Sequence, residues 1–284
     1  MTDVDEIVQA VLATKKYRSV CPDTVRRIAI REMARYGDPK AALKETKSRL
    51  HQVYGAFERE MDYEAAFRRL EVAFRMGSEQ DIETACREVL RLHQSTVERL
   101  PILDEFYTAI WTLTGTPNSL LDLACGLNPL TLPWMHLSPG AQYFAFDIDA
   151  LRIAFLNRFF RLAGFPPLAT WHDIVCHPPQ TNADVALLLK TSPTLERQEK
   201  GSTLRLLQVL QTSFVVVSFS VRSLGGRKKG MAAHYEREFL TMIEGEPWQV
   251  NKLTFETELA FVIWKGGRGW DDGRMKGWME RWDA

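Results

Sequence analysis

The sequence lacks several features that would mark it as a specialised class of protein. It has no run of about 18 apolar residues, so we predict no membrane span. Its first residues, Met-Thr-Asp-Val-Asp-Glu, lack the basic segment and apolar core of a secretory signal. Its four cysteines, Cys21, Cys86, Cys125 and Cys176, show neither metal-ligand nor disulfide spacing. These absences favour a protein of the reducing cytoplasm.

The chain also lacks an excess of either charge, because 36 Lys and Arg balance 36 Asp and Glu. The distribution is uneven, however, since residues 15–49 hold eleven basic and four acidic side chains, an excess of seven. Four arginines in this stretch are spaced to share one flank of a helix: Arg26, Arg27, Arg31 and Arg35. A solvated face of a helical bundle and a surface that faces an anion are both compatible with this pattern.

Residues 1–77 carry helical patterning throughout, with apolar positions that recur every three or four residues. The pair Gly77-Ser78 interrupts this pattern, and Ser78 begins a capping-box sequence that predicts one helix over residues 78–99. We therefore predict an all-helical N-terminal domain of residues 1–77 and a second domain of residues 78–284.

The second domain alternates short apolar segments with helical patterns. Strands are predicted at residues 119–124, 143–147, 184–190 and 213–220, with a further strand and its turn at 169–174 and an antiparallel pair at 252–257 and 258–265. Helices are predicted between them, including residues 149–163 and 195–210. Such alternation predicts an α/β fold with a Rossmann-like, mostly parallel sheet that is covered on both faces and ends in an antiparallel strand.

Polar residues follow the first strands where their carboxyl ends meet at one edge, the place where such sheets bind ligands. Gly126 lies in the turn after the first strand, but a dinucleotide-binding turn would have three glycines there. Asp147 suits the hydroxyls of a ribose. Asp173 suits either an adenine amine or the cap of a following helix. The edge therefore fits S-adenosyl-L-methionine better than a dinucleotide, although a buried strand with a turn also occurs in unrelated α/β domains.

Five motifs stand in one order along the chain: Asp122-Leu-Ala-Cys-Gly-Leu-Asn-Pro-Leu130, Asp147-Ile-Asp149, His172-Asp173, Leu188-Leu-Lys-Thr-Ser-Pro-Thr-Leu-Glu196 and Ser218-Phe-Ser-Val-Arg-Ser-Leu-Gly-Gly226. Together they resemble the Arm-type 16S rRNA (guanine-N7) methyltransferases that confer aminoglycoside resistance. The resemblance covers about residues 10–265. It implies a class I methyltransferase fold, S-adenosyl-L-methionine as methyl donor, and the decoding site of the 30S ribosomal subunit as target.

The resemblance also implies a set of site residues. The donor pocket would comprise Arg99, Ala124, Cys125, Gly126, Asp147, Ile148, Asp173, Ile174, Leu189 and Gln198. Arg99 would pair with the methionine carboxylate, a bidentate task that suits a guanidinium. Lys190 and Glu196 would be catalytic residues near the target base. From the residues alone, Arg99 is a basic residue at a helix C-terminus and Glu196 an exposed residue at the start of a helix.

The implied chemistry makes few demands on side chains. N7 of guanine carries a lone pair and no proton, so its methylation needs no general base. The fourth strand ends in Lys-Thr-Ser-Pro-Thr, without the Asn-Pro-Pro signature of amine methylation or the Pro-Cys pair of pyrimidine C5 methylation. Cys125 is accordingly expected to pack as a small residue and not to act as a nucleophile.

Two cationic segments are candidates for RNA contact, and each could instead be an ordinary exposed surface. The first holds Lys15, Lys16 and Arg18, and the second holds Arg222, Arg227, Lys228, Lys229 and Met231. A flipped guanine would need a stacking partner, for which Trp171, Phe219 and Met231 are candidates. The tryptophan-rich tail, residues 264–284, either packs on the body or stacks on bases.

Other functions remain open at this point. His172, Asp173, Cys176 and His177 lie close together, but no second ligand pair accompanies them, so we expect no metal. The same fold could methylate another RNA or a small molecule. A noncatalytic RNA-binding assembly protein that has kept the pocket is a third hypothesis. A nicotinamide dehydrogenase fits least, because the glycine fingerprint is missing.

Overall fold

The computed structural model describes residues 2–55, 61–221 and 231–266. The helices are α1 (Asp3–Leu12), α2 (Pro22–Tyr36), α3 (Pro39–Leu50), α4 (Tyr63–Met76), α5 (Glu79–Leu90), α6 (Gln94–Val97), α7 (Leu103–Thr114), α8 (Leu132–Met135), α9 (Ala150–Leu162), α10 (Ser192–Gln198), α11 (Ser202–Val209) and α12 (Met231–Met242). The strands are β1 (Ser119–Leu123), β2 (Gln142–Asp147), β3 (Ala169–Trp171), β4 (Ala183–Leu189), β5 (Thr212–Ser220), β6 (Gln249–Thr254) and β7 (Glu258–Trp264).

The described strands form one sheet in the order β3-β2-β1-β4-β5-β7-β6. The first five strands pair in parallel, whereas β7 runs antiparallel to both β5 and β6. This confirms the predicted α/β sheet, mostly parallel with an antiparallel last strand. The strand order reverses between β1 and β4, and at such a point the loops diverge and leave a crevice for a ligand.

The apolar runs of the central strands are explained by burial on both faces of the sheet. Along β4, Val185 and Leu187 enter a core that they share with α4, α5, α7 and α9. Ala186 and Leu188 enter the opposite core, with α11 and α12. Successive side chains of a strand point to opposite faces, so a strand between two helical layers is apolar at every position.

The N-terminal helices form a separate core. Each of α1, α2 and α3 contributes a fully buried residue to this core: Val11, Val25 and Leu50. By contrast, α4 packs in the core of the sheet. The separately packed helical unit therefore spans residues 2–55, which is shorter than the predicted domain, and the division at residue 77 stays a prediction.

Two predicted helices are wrong in their extent, because each is broken. The segment 78–99 forms α5 and α6, since the Thr96 hydroxyl donates to the Leu90 carbonyl at 2.7 Å and ends α5 there. The segment 195–210 forms α10 and α11, separated by Gly201 at a φ of 80°, a left-handed conformation that ends a helix. The first break comes from a side-chain hydrogen bond and the second from a backbone dihedral, and the spacing of apolar residues indicates neither.

The helical unit is anchored to the loop that follows β2. Val20 forms an antiparallel bridge with Asp149, and the Cys21 amide donates to the Ile148 carbonyl at 2.7 Å. The Tyr54 hydroxyl donates to the Asp149 carboxylate, also at 2.7 Å. The loop that carries the end of β2 thus also sets where the helical unit sits.

Candidate active site

A cavity of about 370 Å³ lies between the helical unit and the carboxyl edge of the sheet. All ten residues predicted for the methyl donor line it. Its wall also contains residues that were not among the predicted site residues: Thr24, Arg27, His93, Glu98, Asn128 and Arg152. A cavity of this size holds a nucleoside-sized ligand.

The turn after β1 has a backbone that few residues can adopt. Ala124 has a φ of 51° and Gly126 a φ of 54°, both in the left-handed region. A Cβ on Gly126 would lie 3.3 Å from Cε1 of His93, tighter than ordinary packing. Conformation and space therefore both favour glycine at position 126, and the residues of this turn line the cavity.

Asp147 ends β2 and is held by three donors. Its Oδ2 accepts from the Gly126 amide at 3.0 Å, while its Oδ1 accepts from the Asp149 amide at 2.9 Å and from Nη1 of Arg152 at 2.8 Å. The residue is only 5% exposed but lines the cavity. Because a carboxylate oxygen has two lone pairs, Oδ2 can accept one more hydrogen bond. That capacity suits a ribose hydroxyl, the role predicted for Asp147.

Asp173 is satisfied by the protein itself. Its Oδ2 accepts from the Thr24 hydroxyl at 2.7 Å and from Nη2 of Arg27 at 3.0 Å. Its Oδ1 accepts from the amides of Val175 and Cys176, at 2.8 and 3.0 Å. Burial acts to raise its pKa, but Arg27 and these donors lower it. The contacts favour the capping alternative, here of a turn, and the predicted adenine contact of Asp173 stays a prediction.

One end of the cavity is a row of buried charges. Nε and Nη2 of Arg99 donate to the Glu258 carboxylate, at 3.0 and 2.6 Å, and Nη1 donates to Asn128 at 2.8 Å. The ammonium of Lys190 lies 3.2 Å from Glu258 and 3.0 Å from Glu98. Burial acts to raise the pKa of Glu258, but Arg99 and Lys190 lower it. Glu258 therefore stays ionised between the cationic side chains of Arg99 and Lys190.

Glu98 and Glu258 were both missed by sequence reasoning. Glu98 lies within a segment predicted to be plain helix. Glu258 begins a strand that continues Leu-Ala-Phe-Val-Ile-Trp, and a lone charge at the edge of such an apolar run was the available signal. It is 0% exposed, and buried charges of this kind are paired.

His93 is a further cavity residue that sequence reasoning missed. Burial, together with the charges of Arg152 and Lys190, lowers its pKa to about 3. The imidazole is consequently neutral at physiological pH. It lies against Gly126 and forms an uncharged part of the wall.

The two residues predicted to be catalytic lie in different surroundings. Lys190, at a φ of 59°, lines the cavity. The Glu196 carboxylate instead accepts from the amides of Gly201 and Thr203, at 2.7 and 2.9 Å, and so caps α11. The contacts of Glu196 are those of a structural cap, and both catalytic roles stay predictions.

The predicted RNA-binding residues divide into three groups. Lys15, Lys16 and Arg18 are exposed in the loop after α1, close to the bridge between the helical unit and the β2 loop. Met231 is the first described residue of α12 and lines the cavity. Four of the predicted cations lie outside the described residues, as does the tail beyond residue 266: Arg222, Arg227, Lys228 and Lys229.

The arginine flank of α2 is largely engaged by the protein. Arg26 pairs with Asp5 at 2.8 Å, and Arg27 pairs with Asp173 at 3.0 Å. Arg31 donates to the backbone carbonyl of Gln198. Arg27 and Arg31 thus join the helical unit to the sheet domain, and Arg26 pairs within the helical unit. Most of the flank is therefore not an open anion-binding face.

Of the three stacking candidates, Phe219 belongs to the core. It is 4% exposed and stacks on Tyr235, with ring centroids 5.1 Å apart. Trp171 is 40% exposed, and its indole N–H donates to the Ile148 carbonyl at 2.8 Å. Met231 and Tyr235 line the cavity, so Tyr235 is an aromatic wall residue that the sequence did not indicate.

Neither a metal site nor a membrane helix is present in the part of the chain that the structure describes. No group of three His, Cys, Asp or Glu side chains there could hold a metal ion. The ring of His172 contacts the carbonyl of His177 instead. No helix in residues 2–55, 61–221 and 231–266 combines the length and apolar character that crossing a bilayer requires.

Comparison with known proteins gives one consistent result. Residues 13–262 match the family model described as "Ribosomal RNA methyltransferase (FmrO)". The chain is 38% identical over 265 residues to a 16S rRNA (guanine(1405)-N(7))-methyltransferase of Micromonospora echinospora, with 92% of this chain and 97% of that protein covered. A Serratia marcescens protein of the same name is also 38% identical over 265 residues, with 93% and 100% covered. The crystal structure of 16S rRNA methyltransferase RmtF in complex with S-adenosyl-L-homocysteine matches with a TM-score of 0.78 at 33% identity, covering 94% and 99%.

Proposed function

Since this chain belongs to the FmrO family of ribosomal RNA methyltransferases, we propose that it transfers a methyl group from S-adenosyl-L-methionine to N7 of guanine 1405 in 16S rRNA. The observation that carries the proposal is the cavity at the carboxyl ends of β1, β2 and β4, in a chain that matches these enzymes over nearly its whole length. The noncatalytic hypothesis is less well supported, because relatives that match over nearly the whole chain are named as methyltransferases.

The cavity fits the methyl donor part by part. Asp147 offers an acceptor to the ribose through the remaining capacity of Oδ2. Ile148, Ile174 and Leu189 supply apolar wall for a flat base. The charged row at the other end presents Arg99, whose guanidinium can bind a carboxylate. RmtF, which matches over 94% of this chain, holds S-adenosyl-L-homocysteine.

S-adenosyl-L-methionine supplies a methyl group on a positively charged sulfur. Guanine N7 attacks with a lone pair and has no proton to lose, so no residue needs to act as a general base. The residues then have to hold the two reacting atoms in line, about 3–3.5 Å apart before reaction. The capping position of Glu196 is compatible with this requirement.

Charge balance in the cavity matters because both the donor and the methylated base are cationic. An unpaired cation on the wall would repel them, and it would do so strongly where water is excluded. Lys190 lies between the carboxylates of Glu98 and Glu258, and burial keeps His93 neutral. The wall thus contains a lysine and a histidine without adding uncompensated positive charge.

For RNA docking we propose that Lys15, Lys16 and Arg18 contact phosphates of the assembled 30S subunit. Their loop leads directly into the bridge between Val20 and Asp149, beside the end of β2. Docking on this loop would therefore bring ribosomal RNA to the mouth of the cavity. Action in the cytoplasm and resistance to aminoglycosides would be the consequences of such an activity.

The function is tested by incubating 30S subunits from an unmethylated strain with the protein and radiolabelled donor, then mapping the modified base by primer extension. We expect label at guanine 1405 only. Label at another base, or on small molecules alone, would assign a different acceptor. Absence of transfer despite tight donor binding would favour the noncatalytic hypothesis.

A charge-reversal variant tests the docking surface. Changing Lys15, Lys16 and Arg18 to glutamate should weaken 30S binding at least tenfold and leave donor affinity unchanged, because the three side chains are exposed and lie outside the cavity wall. The matched control reverses three other exposed cations, Arg68, Arg69 and Arg75 of α4, which lie outside the helical unit. Equal effects from both variants would mean that only total charge matters.

A further inference from the structure

We propose that Glu258 is a positioning residue for the methyl donor, because it fixes the guanidinium of Arg99 in the orientation that binds the donor's carboxylate. The proposal rests on the proposed function, since it assumes a donor with an amino-acid end. It assigns a role to the first residue of β7, far in sequence from the motifs that mark the pocket.

The geometry ties Arg99 to a rigid part of the sheet. Glu258 faces Ser220 across the β5–β7 ladder, so its backbone is held by strand pairing. Its carboxylate receives Nε and Nη2 of Arg99 side by side, which is the bidentate arrangement that fixes the plane of a guanidinium. Arg99 itself lies between α6 and a short 3₁₀ turn, Leu100–Ile102, outside the sheet.

These contacts leave capacity for a ligand. With the bond from Nη1 to Asn128 included, the hydrogen bonds of Arg99 within the described residues use three of its five N–H groups. Arg99 lines the cavity although it is only 2% exposed. Two N–H groups are therefore available for a carboxylate that enters the cavity.

The charge pattern suits an amino-acid end in particular. Arg99, Glu258, Lys190 and Glu98 alternate in sign along the row, so the row as a whole is neutral. An α-amino acid group carries one carboxylate and one ammonium and adds no net charge. Without Glu258, Arg99 and Lys190 would lose their shared counter-ion, and leaving a buried charge unpaired is costly.

A role in folding alone would give a different result from a role that acts through Arg99. A purely structural residue would alter the affinity for all donor-like ligands alike. Loss of a residue that orients Arg99 would weaken the binding only of ligands that carry the carboxylate. The contrast between S-adenosyl-L-homocysteine and 5′-methylthioadenosine, which lacks the amino-acid group, separates these cases.

The experiment is calorimetric titration of the full chain and its Glu258→Gln variant with both ligands. We expect S-adenosyl-L-homocysteine to bind the variant at least tenfold more weakly, and 5′-methylthioadenosine to bind it within twofold of the unmodified chain. On 30S subunits, KM for the donor should rise more than kcat falls. The matched control is Glu32→Gln, which removes another buried glutamate paired with an arginine, Arg49, away from this cavity.

Each outcome decides the matter. If the unmodified chain binds neither ligand, the proposed function itself fails. If the unmodified chain binds both ligands and Glu258→Gln leaves the ratio of the two affinities unchanged, the inference is overturned. Should Glu258→Gln not fold, Glu258→Asp keeps the charge but withdraws the carboxylate, and the same change in ratio is expected. Loss of folding in both variants would show a purely structural role.

Discussion

Replacing Asp122 with asparagine should make the protein's stability less sensitive to rising pH. Asp122 lies in β1 beneath the turn that holds Gly126, and it is 1% exposed. Burial raises its pKa from 3.8 to about 6, although the Tyr143 hydroxyl donates to it at 2.6 Å. Folding therefore favours the protonated carboxyl. Its contribution to stability is fully present below pH 3.8 and is lost as the pH rises to about 6.

The size of the effect follows from the pKa difference. About two pKa units correspond to about 3 kcal/mol in the free energy of unfolding, as an upper bound. Asparagine does not titrate, and its carbonyl oxygen can accept the bonds that Oδ2 of Asp122 now accepts from Tyr143 and Asn128. The advantage of Asp122→Asn over the unmodified chain should therefore grow between pH 4 and pH 6 and then level off.

Urea unfolding of both proteins at intervals from pH 4.5 to pH 7.5 measures this difference. All other titrating groups are common to the two proteins, so their effects cancel. A difference that stays constant across the range would refute the reasoning, because it would mean that Asp122 has the same pKa in the folded and unfolded states.

Two further changes test individual roles at the cavity. Asp147→Ala should weaken S-adenosyl-L-homocysteine binding by roughly 10- to 100-fold, because a charged acceptor is worth about 1.5–3 kcal/mol, and calorimetry that finds unchanged affinity would contradict the ribose assignment. Glu196→Ala should lower the free energy of unfolding by about 1 kcal/mol, since it removes the cap of α11. If instead kcat collapses while the denaturation midpoint stays the same, Glu196 takes part in the reaction.

Local sequence patterns predicted the parts of the fold that depend on neighbouring residues. The apolar run of β4 and the turn at Gly126 could be recognised because burial on two faces, or a left-handed backbone, restricts residue type at each position. The end of α5 could not be predicted in this way, whereas the break before α11 coincides with a glycine, Gly201. Thr96 ends α5 by a side-chain hydrogen bond to the Leu90 carbonyl, and the spacing of apolar residues does not indicate such a bond.

Asp173 shows that local sequence patterns also fail to predict long-range contacts at the site. The motif His172-Asp173 indicated a residue at the strand end, and the structure places Asp173 in the cavity wall. Its main partners are Thr24 and Arg27, which lie 149 and 146 residues earlier in the chain. A residue that looks like a ligand contact in sequence can therefore have its hydrogen bonds satisfied by a distant helix once the chain folds.

What the sequence alone determined is the order of the strands along the chain, the turn that needs glycine and the acid that ends β2, because each depends on a few adjacent residues. Only the tertiary structure decided the charged row, in which Glu258 meets Arg99 across 159 positions. That meeting depends on β7 lying beside β5 in the sheet, which is a matter of strand pairing over the whole domain. Local patterns do not encode such pairing, because its energy comes from residues that are neighbours only after folding.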